Sequence, residues 1–223
     1  MFVTANPAPP PDSDAPRWHR RPDARPAEIL EAGVRVFSEA GFERATIADV
    51  ARRAGVSPGL VVHYYRSKAG LFEAVIRDRM VGFVAGEEAM LAEHRGSYRD
   101  LLHLLVRRLW DHCWNSGMLD LVLVVKAERS AFPECTRALF QELGERWRRL
   151  FQGVLDAGAR QGEFRLSGPH AARVVASMVV GSAESARCFG TFDPKPSTPD
   201  ELWAAVVALL DHGVLQSPQG ESQ

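Results

Sequence analysis

Residues 46–68 of the chain read TIADVARRAGVSPGLVVHYYRSK, and this stretch decides the fold. Thr46 is a favourable N-cap residue and Asp49 follows three positions later, which predicts a helix that begins at Ile47. Gly55 predicts the end of that helix, because glycine adopts the left-handed backbone conformation without steric cost. The first helix of the stretch is therefore short.

A second helix is predicted directly after this turn. Ser57 is a suitable N-cap, and Pro58 at the first helical position removes no helical hydrogen bond. Helical periodicity directs Leu60, Val61 and Tyr65 inward. It directs outward the side of the helix formed by Pro58, Gly59, Val62, His63 and Tyr64. Ser67 then predicts the cap of a third helix that begins near Lys68.

Two short helices joined by a tight turn that contains glycine form a helix-turn-helix, whose second helix has the dimensions to enter a DNA major groove. Short helix pairs with an intervening glycine also occur in all-helical proteins that do not bind DNA. Spacing alone leaves both interpretations open, and the flanking sequence is needed to choose between them.

Residues 26–80 resemble the N-terminal domain of the TetR family of transcriptional regulators. The resemblance is carried by FSEAGFERAT at 37–46, AGVSPG at 54–59 and YRSKAGL at 65–71. It implies an all-α fold with an N-terminal three-helix helix-turn-helix domain and a C-terminal helical bundle for ligand binding and dimerisation. It also implies a ligand-responsive repressor that binds a palindromic DNA operator as a homodimer and is released by a small-molecule effector.

The resemblance assigns DNA-facing positions to Ser57, Pro58, Gly59, His63 and Tyr64, and phosphate contacts to Thr46 and Lys68. These residue types suit those roles, since His63 can hydrogen-bond to a base edge and Tyr64 can donate to a phosphate oxygen. Val62 departs from the family, which most often has tyrosine there, and valine offers only apolar contact, for instance with a thymine methyl group. We therefore expect a base preference that differs from that of relatives.

Charge is distributed unevenly along the chain. Residues 17–80 hold 12 Lys or Arg and 8 Asp or Glu, whereas residues 81–223 hold 15 and 18. A basic N-terminal portion is what a phosphate-binding surface requires. Residues 1–25 are rich in proline and, like residues 216–223, are predicted to be disordered. A basic patch ends the first tail and is consistent either with a DNA-contacting arm or with a solvated segment: Arg17, Trp18, His19, Arg20, Arg21 and Arg25.

The rest of the chain is divided into a DNA-binding domain at 26–86 and a ligand-binding and dimerisation domain at 87–215. A long helix from Ser67 to about Glu93 is predicted to connect the two, and five more helices follow it. Their apolar residues recur at helical spacing, which is typical of a helical bundle.

Part of this bundle is expected to enclose a mostly apolar effector pocket. The candidate lining residues are His103, Arg107, Trp110, Trp114, Met118, Glu128, Phe132, Met178 and Glu184. Trp110 and Trp114 with an acidic group nearby would hold an organic cation, whereas Arg107 and His103 would meet an anion. The segment HYYRSK at 63–68 is similar to regulators of choline–betaine metabolism, but it belongs to the DNA-binding half and does not choose between these ligand classes.

The last two helices are predicted to form the dimer interface, because their small residues permit close helix approach and their aliphatic residues supply area to bury. The candidate residues are Ala172, Ala176, Val179, Ala183, Trp203, Val206, Val207 and Leu210. The alternative is that these residues are buried inside a single subunit.

Other functional classes lack support in the sequence. It contains no nucleophile elbow, phosphate-binding glycine loop, H-E-x-x-H motif or paired cysteine ligands, so we expect no enzyme activity, no cofactor and no metal. Apolar runs such as residues 119–125 are too short to span a bilayer and the N-terminus has no secretion signal, so a cytoplasmic protein without a membrane partner is expected. The three widely spaced cysteines, Cys113, Cys135 and Cys188, fit a reducing compartment. The remaining alternative is a helical adaptor with a degenerate DNA-binding domain.

Overall fold

A computed structural model describes residues 25–128, 130, 132, 134–190, 192 and 194–214. These residues form nine α-helices: α1 Arg25–Arg44, α2 Ile47–Ala54, α3 Pro58–Tyr65, α4 Lys68–Glu93, α5 Tyr98–Asn115, α6 Met118–Ala127, α7 Glu134–Arg160, α8 Ala171–Phe189 and α9 Pro199–Leu209. A π-helical turn, Leu210–Val214, extends α9. The all-α prediction is confirmed. The predicted tails and the basic patch lie outside the described residues except for Arg25, which begins α1 and pairs with Glu28 at 3.0 Å.

Local capping signals set the bounds of the helix-turn-helix. The Thr46 hydroxyl accepts the backbone N–H of Asp49 at 3.1 Å, and the Asp49 carboxylate accepts the backbone N–H of Thr46 at 3.2 Å, which completes a capping box. Gly55 ends α2 in the left-handed conformation with φ 66°. Ser57 and Ser67 then cap α3 and α4 through their hydroxyl oxygens. These ends lie where the sequence predicted them.

Helix α1 is interrupted at Gly41, whose φ of 79° is open to glycine and strained for other residues. The interruption turns Phe42 back onto the core, where its ring lies 6.1 Å from that of Phe37 and 5.3 Å from that of Phe72. A side chain at position 41 would also collide with the carboxylate of Glu128. Both the conformation and the close approach require glycine here.

The N-terminal core is built from α1–α4 but completed by residues from the other half of the chain. Its buried members that follow α4 in the chain are Leu121, Val124, Phe132, Leu139 and Leu143. The ring of Phe132 lies 4.6 Å from that of Phe42 and 4.9 Å from that of Phe72. The helix-turn-helix therefore shares one apolar core with α6 and the start of α7.

A second core lies among α5, α7, α8 and α9. Its buried members include Leu105, Trp110, Phe151, Val179 and Leu210. Residues of α4 pack against both cores, so this helix connects the two.

The predicted boundary between residues 86 and 87 falls inside α4, so it does not coincide with a break between helices. Glu87 is fully buried there and pairs with Arg108 of α5 at 2.6 Å. Among the helices described, none combines the length and the apolarity needed to cross a membrane.

Candidate nucleic-acid interface and ligand cavity

Helix α3 has one buried face and one exposed face. Val61 is fully buried against the N-terminal core, whereas Val62 and Tyr64 keep 44% and 40% of their surface exposed. Ser57, Pro58, Gly59 and His63 are exposed as well. The rings of His63 and Tyr64 meet edge to face with centroids 5.5 Å apart. The structure therefore gathers the predicted DNA-facing residues of α3 on one solvent-exposed surface.

The orientation of α3 is held by Tyr65, which lies on its inner side. The Tyr65 hydroxyl donates a hydrogen bond to the backbone carbonyl of Pro26 at 3.0 Å, which ties α3 to the start of α1. Burial is the main cause that raises the pKa of Tyr65 above its usual range, so the phenol stays protonated and remains a donor.

Thr46 and Lys68, the two predicted phosphate contacts, both lie beside the junction of α1 and α2. The Thr46 hydroxyl is part of the capping box and donates to Asp49 Oδ2 at 2.6 Å. Lys68 Nζ donates to the backbone carbonyl of Glu43 at 2.9 Å and lies 4.7 Å from the centre of the Phe42 ring. An ammonium group carries three protons, so Lys68 can hold this junction and still donate to a phosphate.

Arg66, between α3 and α4, is a candidate contact that the sequence did not reveal. Its backbone φ is 67°, the one positive value among the described residues other than glycine. Its side chain is exposed, and it has no ion pair with a described carboxylate, whereas Arg52 and Arg53 of α2 pair with Asp49 and Glu39. No sequence signal marks an arginine with a positive φ, because this conformation results from the tight connection of two capped helices.

A cavity of about 470 Å³ lies among α4, α5, α6, α7 and α8. Its inner wall is mostly apolar and comprises Met80, Phe83, Leu109, His112, Cys113, Met118, Leu119, Val122, Trp147, Ala172, Ala176 and Val180. The more exposed lining residues are Gln141, Gly144, Glu145, Arg173 and Ser177, with Arg148 beside them. An apolar concave site of this size is suited to a small organic molecule.

His112 is the titratable ring in this wall. Its ring stacks on that of Phe83 from α4 with centroids 3.9 Å apart and an angle of 5° between the planes. Desolvation by burial lowers the pKa of His112 to about 4, despite a backbone hydrogen bond to Arg79 that acts in the opposite direction. The imidazole is therefore neutral at pH 7.

Burial also raises the pKa of the Cys113 thiol, to about 12, so this group is an unreactive apolar wall element. Within the described part of the chain, no three side chains of the metal-binding types come close enough to hold a metal ion.

Of the predicted ligand residues, Met118 lines the cavity, and the α5 residues do not. His103 Nε2 lies 3.0 Å from Asp211 Oδ1, Arg107 lies over the Trp203 ring at 5.0 Å, and Trp110 is buried between Trp114 and Trp203. The predicted α5 residues miss the cavity because of the helical period. They lie on one face of α5: His103, Arg107, Trp110 and Trp114. The face beside it, with Leu109, His112 and Cys113, points to the cavity.

The other predicted ligand residues also lie elsewhere. Glu128 and Phe132 contact the junction of α1 and α2. Met178 lines a shallow groove between α8 and α9, and Glu184 pairs with Lys126 at 2.5 Å. Conversely, the sequence did not reveal Phe83, His112 and Trp147, because aromatic residues at helical spacing look the same whether they face a cavity or a filled core.

Six of the eight predicted dimer residues lie elsewhere in the structure, and Trp203 and Val207 stay predictions. Val179, Ala183, Val206 and Leu210 are buried inside the subunit, and Ala172 and Ala176 line the cavity. Trp203 packs on Trp110, and Val207 is partly exposed. The outer face of the same two helices is formed instead by Val174, Ser177, Gly181, Ser185, Ala204, Ala205, Ala208 and Leu209. Val174 and Leu209 are 58% and 59% exposed.

Both halves of the chain are similar to known regulatory proteins. Residues 29–75 match the family model of bacterial regulatory proteins of the tetR family, and residues 100–210 match that of the C-terminal domain of AefR-like transcriptional repressors. The HTH-type transcriptional regulator BetI of Cronobacter sakazakii is 32% identical over 139 residues, which cover 56% of this chain and 66% of that protein. BetI of Escherichia coli K12 is 48% identical over 54 residues, 24% of this chain and 28% of that protein. The match thus spans less than two thirds of either relative.

The fold also resembles that of solved proteins. A protein from Saccharomonospora viridis, solved in complex with choline, superposes with a TM-score of 0.74 at 20% sequence identity, over 88% of this chain and 100% of that one. At this identity the likeness concerns the fold. Together with the two family models, which match the helix-turn-helix and most of the C-terminal bundle, these findings lead to one conclusion: the chain belongs to the TetR family of transcriptional regulators.

Proposed function

We propose that this protein is a cytoplasmic, ligand-responsive repressor that binds a palindromic DNA operator as a homodimer and is released by a small-molecule effector. In this proposal residues 26–86 bind DNA and residues 87–215 bind the effector and dimerise. The observation that carries the proposal is the exposed face of α3, where Gly59, Val62, His63 and Tyr64 stand clear of a core that holds the opposite side of the helix.

In the duplex complex, α3 enters the major groove. Gly59 permits close approach of the backbone, His63 hydrogen-bonds to a base edge and Val62 contacts a thymine methyl group. Tyr64 and Lys68 donate to phosphates, the Thr46 hydroxyl does so once its proton turns from Asp49 to a phosphate oxygen, and exposed Arg66 adds a further cation beside them. Phosphate contacts set the register of the protein, whereas the base contacts set its sequence preference.

Dimerisation is assigned to the outer faces of α8 and α9. Small residues such as Gly181 permit close helix approach, and the space beside Gly181 is open, with no atom of the described residues within 4 Å of a Cβ placed there. Exposed Val174 and Leu209 supply apolar area on the same surface. Two-fold pairing would place two copies of α3 about 34–36 Å apart, one turn of B-DNA, and would match a palindromic operator.

Coupling between the cavity and DNA is assigned to α4. Met80 and Phe83 of α4 line the cavity, and Leu71, Phe72, Val75 and Ile76 of the same helix lie in the N-terminal core. A ligand that displaces Met80 or Phe83 would therefore move the helix-turn-helix as well. The ligand can shift operator affinity only by the difference between its affinities for two conformations of the protein, the one that binds DNA and the one in which the helix-turn-helix has moved.

The test is fluorescence anisotropy with a duplex from the intergenic DNA upstream of the gene, compared with a scrambled duplex over a series of salt concentrations. The proposal expects tight binding that is selective for the palindrome and that weakens steeply as salt rises. Equal, weak binding to both duplexes would contradict it for this DNA and would favour a helical adaptor whose helix-turn-helix no longer binds DNA.

A further inference from the structure

The cavity opens between α7 and α8. Its exposed lining residues all belong to these two helices: Gln141, Gly144, Glu145, Arg173 and Ser177. Apart from Arg148, which lies beside them, the remaining lining residues are partly or fully buried and form the apolar inner wall. A ligand that fills the cavity therefore has one end against this wall and the other end at the mouth between α7 and α8.

The inner wall disfavours charge. It is formed mainly by aliphatic, methionine and aromatic side chains. Burial lowers the pKa of His112 to about 4 and raises the pKa of Cys113 to about 12, so both groups are neutral at pH 7. An ion placed against such a wall without a counter-ion is strongly disfavoured. The part of the ligand that reaches the inner wall should therefore be uncharged and apolar.

The mouth, in contrast, carries an excess of positive charge. Its charged lining residues are two arginines, Arg148 and Arg173, and one glutamate, Glu145, which leaves one positive charge in excess. Arg148 donates twice to the Glu145 carboxylate, at 2.9 Å and 2.5 Å, so these two charges offset each other. Arg173 forms no hydrogen bond or ion pair with another residue that the structure describes. The excess charge therefore lies on Arg173.

The surroundings of Glu145 show the same imbalance. The hydrogen bond from Arg148 is the main cause that lowers the pKa of Glu145, and the charges of Arg148, Arg149 and Arg173 act in the same direction. Three guanidinium groups thus lie close enough to act on one carboxylate, which can neutralise only one of them. An organic cation would be repelled here, whereas an anion would be attracted.

Arg173 is also placed unfavourably for its own helix. It lies in the first turn of α8, where the helix dipole already contributes partial positive charge. This turn contains no acidic residue, and the N-cap residue His170 provides no side-chain cap. A negative group at the mouth would offset both the charge of Arg173 and that of the helix end.

We propose that the effector is an amphiphilic monocarboxylate, whose apolar body fills the inner part of the cavity and whose carboxylate binds Arg173 at the mouth. This inference rests on the proposed effector role of the cavity. A single negative charge matches the single positive charge in excess, and a guanidinium group can bind a carboxylate through two parallel hydrogen bonds. The apolar body lies against Met80 and Phe83, so the ligand extends from α8 to α4, the helix that leads to the DNA-binding residues.

The test uses three probes with the same ten-carbon chain and the full-length protein at pH 7: decanoate, decanol and decyltrimethylammonium. Binding is measured by calorimetry for the unaltered protein, for Arg173→Gln and for Arg160→Gln. Arg160 is the matched control, because it is an exposed arginine of α7 that does not line the cavity. Both variants change the net charge of the protein equally.

We expect the unaltered protein to bind decanoate more tightly than decyltrimethylammonium. Arg173→Gln should weaken decanoate binding roughly fivefold, the upper end for an ion pair that stays partly exposed, and should leave decanol binding unchanged. Arg160→Gln should leave the binding of both probes unchanged.

Four outcomes would each overturn the inference. They are tighter binding of the cation than of decanoate, an equal loss of decanoate affinity in both arginine variants, unchanged decanoate affinity in Arg173→Gln, and no binding of any probe. An equal loss of decanol and decanoate affinity in Arg173→Gln would likewise overturn it, because the arginine would then act on the shape of the cavity and not on the charge of the ligand.

Should Arg173→Gln not fold, a salt series on the unaltered protein provides the second measurement. Rising salt should weaken decanoate binding, because it screens an exposed ion pair, and should not weaken decanol binding. Decanoate affinity that does not fall with salt would overturn the inference.

Operator binding is measured on the same preparations. Palindrome-selective DNA binding combined with a failed probe test overturns the ligand class alone. Absence of selective DNA binding with the effect of Arg173→Gln on decanoate intact overturns the proposed function alone.

Discussion

The Glu128 carboxylate at the end of α6 accepts the backbone N–H of Glu43 at 2.8 Å. This hydrogen bond crosses from the C-terminal bundle to the junction between α1 and α2. It fills the space that Gly41 leaves by lacking a side chain. The junction also carries Thr46 and receives Lys68, so one carboxylate supports the part of the fold that positions both predicted phosphate contacts.

Replacing Glu128 should therefore affect both stability and DNA binding. We expect Glu128→Ala to lower the free energy of unfolding by about 1.5–3 kcal/mol, the range for a hydrogen bond to a charged group, and to weaken operator binding. Glu128→Gln keeps a hydrogen-bond acceptor and should therefore lose less stability and less operator affinity than Glu128→Ala. Urea denaturation and anisotropy measure the two effects, and equal behaviour of the two variants would show that the hydrogen bond has no such role.

His63 and Tyr65 are two positions apart on α3 but face opposite sides. His63→Ala should weaken operator binding by roughly 1–3 kcal/mol, as expected for a base contact, and should leave thermal stability nearly unchanged. Tyr65→Phe is the comparison for stability, because it removes the hydrogen bond to Pro26 and should lower the free energy of unfolding by about 0.5–1.5 kcal/mol. Unchanged operator affinity in His63→Ala would remove His63 from the DNA contacts.

The described helices contain two capping boxes of the same kind, one at Thr46 and one at Thr198. Thr46→Ala and Thr198→Ala should each cost about 1 kcal/mol of stability through loss of the cap. Thr46→Ala should in addition weaken operator binding at low salt, because the proposed phosphate contact is lost. If both variants bind the operator equally well, Thr46 acts only as a cap.

Leu209 lies on the outer face of α9, and Leu104 of α5 is a comparably exposed leucine that is not part of the α8–α9 face. Leu209→Arg should shift the protein from dimer to monomer, because the charge would be buried without a partner in the proposed interface. Leu104→Arg should leave the dimer intact. Light scattering coupled to gel filtration measures the masses, and a dimeric Leu209→Arg would place the interface elsewhere.

His112 predicts how stability depends on pH. Its pKa is about 4 in the folded chain against an ordinary value of 6.5, so below pH 6.5 the unfolded chain binds a proton that the folded chain does not. The contribution of neutral His112 to the free energy of unfolding is therefore fully present above pH 6.5 and is lost as the pH falls toward 4. Because the ring is partly exposed, we expect the free energy of unfolding to fall by roughly 1 kcal/mol between pH 7 and pH 5.

His112→Phe should lack this part of the pH dependence, because phenylalanine does not titrate. Urea denaturation of both proteins at pH 7 and pH 5 measures the difference. Identical losses of stability in the two proteins would mean that His112 is not the group responsible.

Signals confined to a few neighbouring residues were readable from the sequence. The ends of α2 and α3 were predicted from Thr46, Gly55 and Ser57, because each cap depends on hydrogen bonds within one turn of backbone. The exposed side of α3 followed from periodicity in the same way. The family, and with it the all-α class, followed from motifs in this segment.

The lining of the cavity and the outer face of α8 were decided by tertiary structure. On α5 the predicted residues, including Trp110, and the true cavity residue His112 are equally compatible with an amphipathic helix. Which face meets a cavity depends on how α5 is rotated against α4, α7 and α8, and that rotation results from packing between residues far apart in the chain. The sequence by itself determined where the helices of the helix-turn-helix begin and end and which family the chain belongs to, because those signals are local. Only the packing of the helices decided that His112 faces the cavity and Trp110 the core.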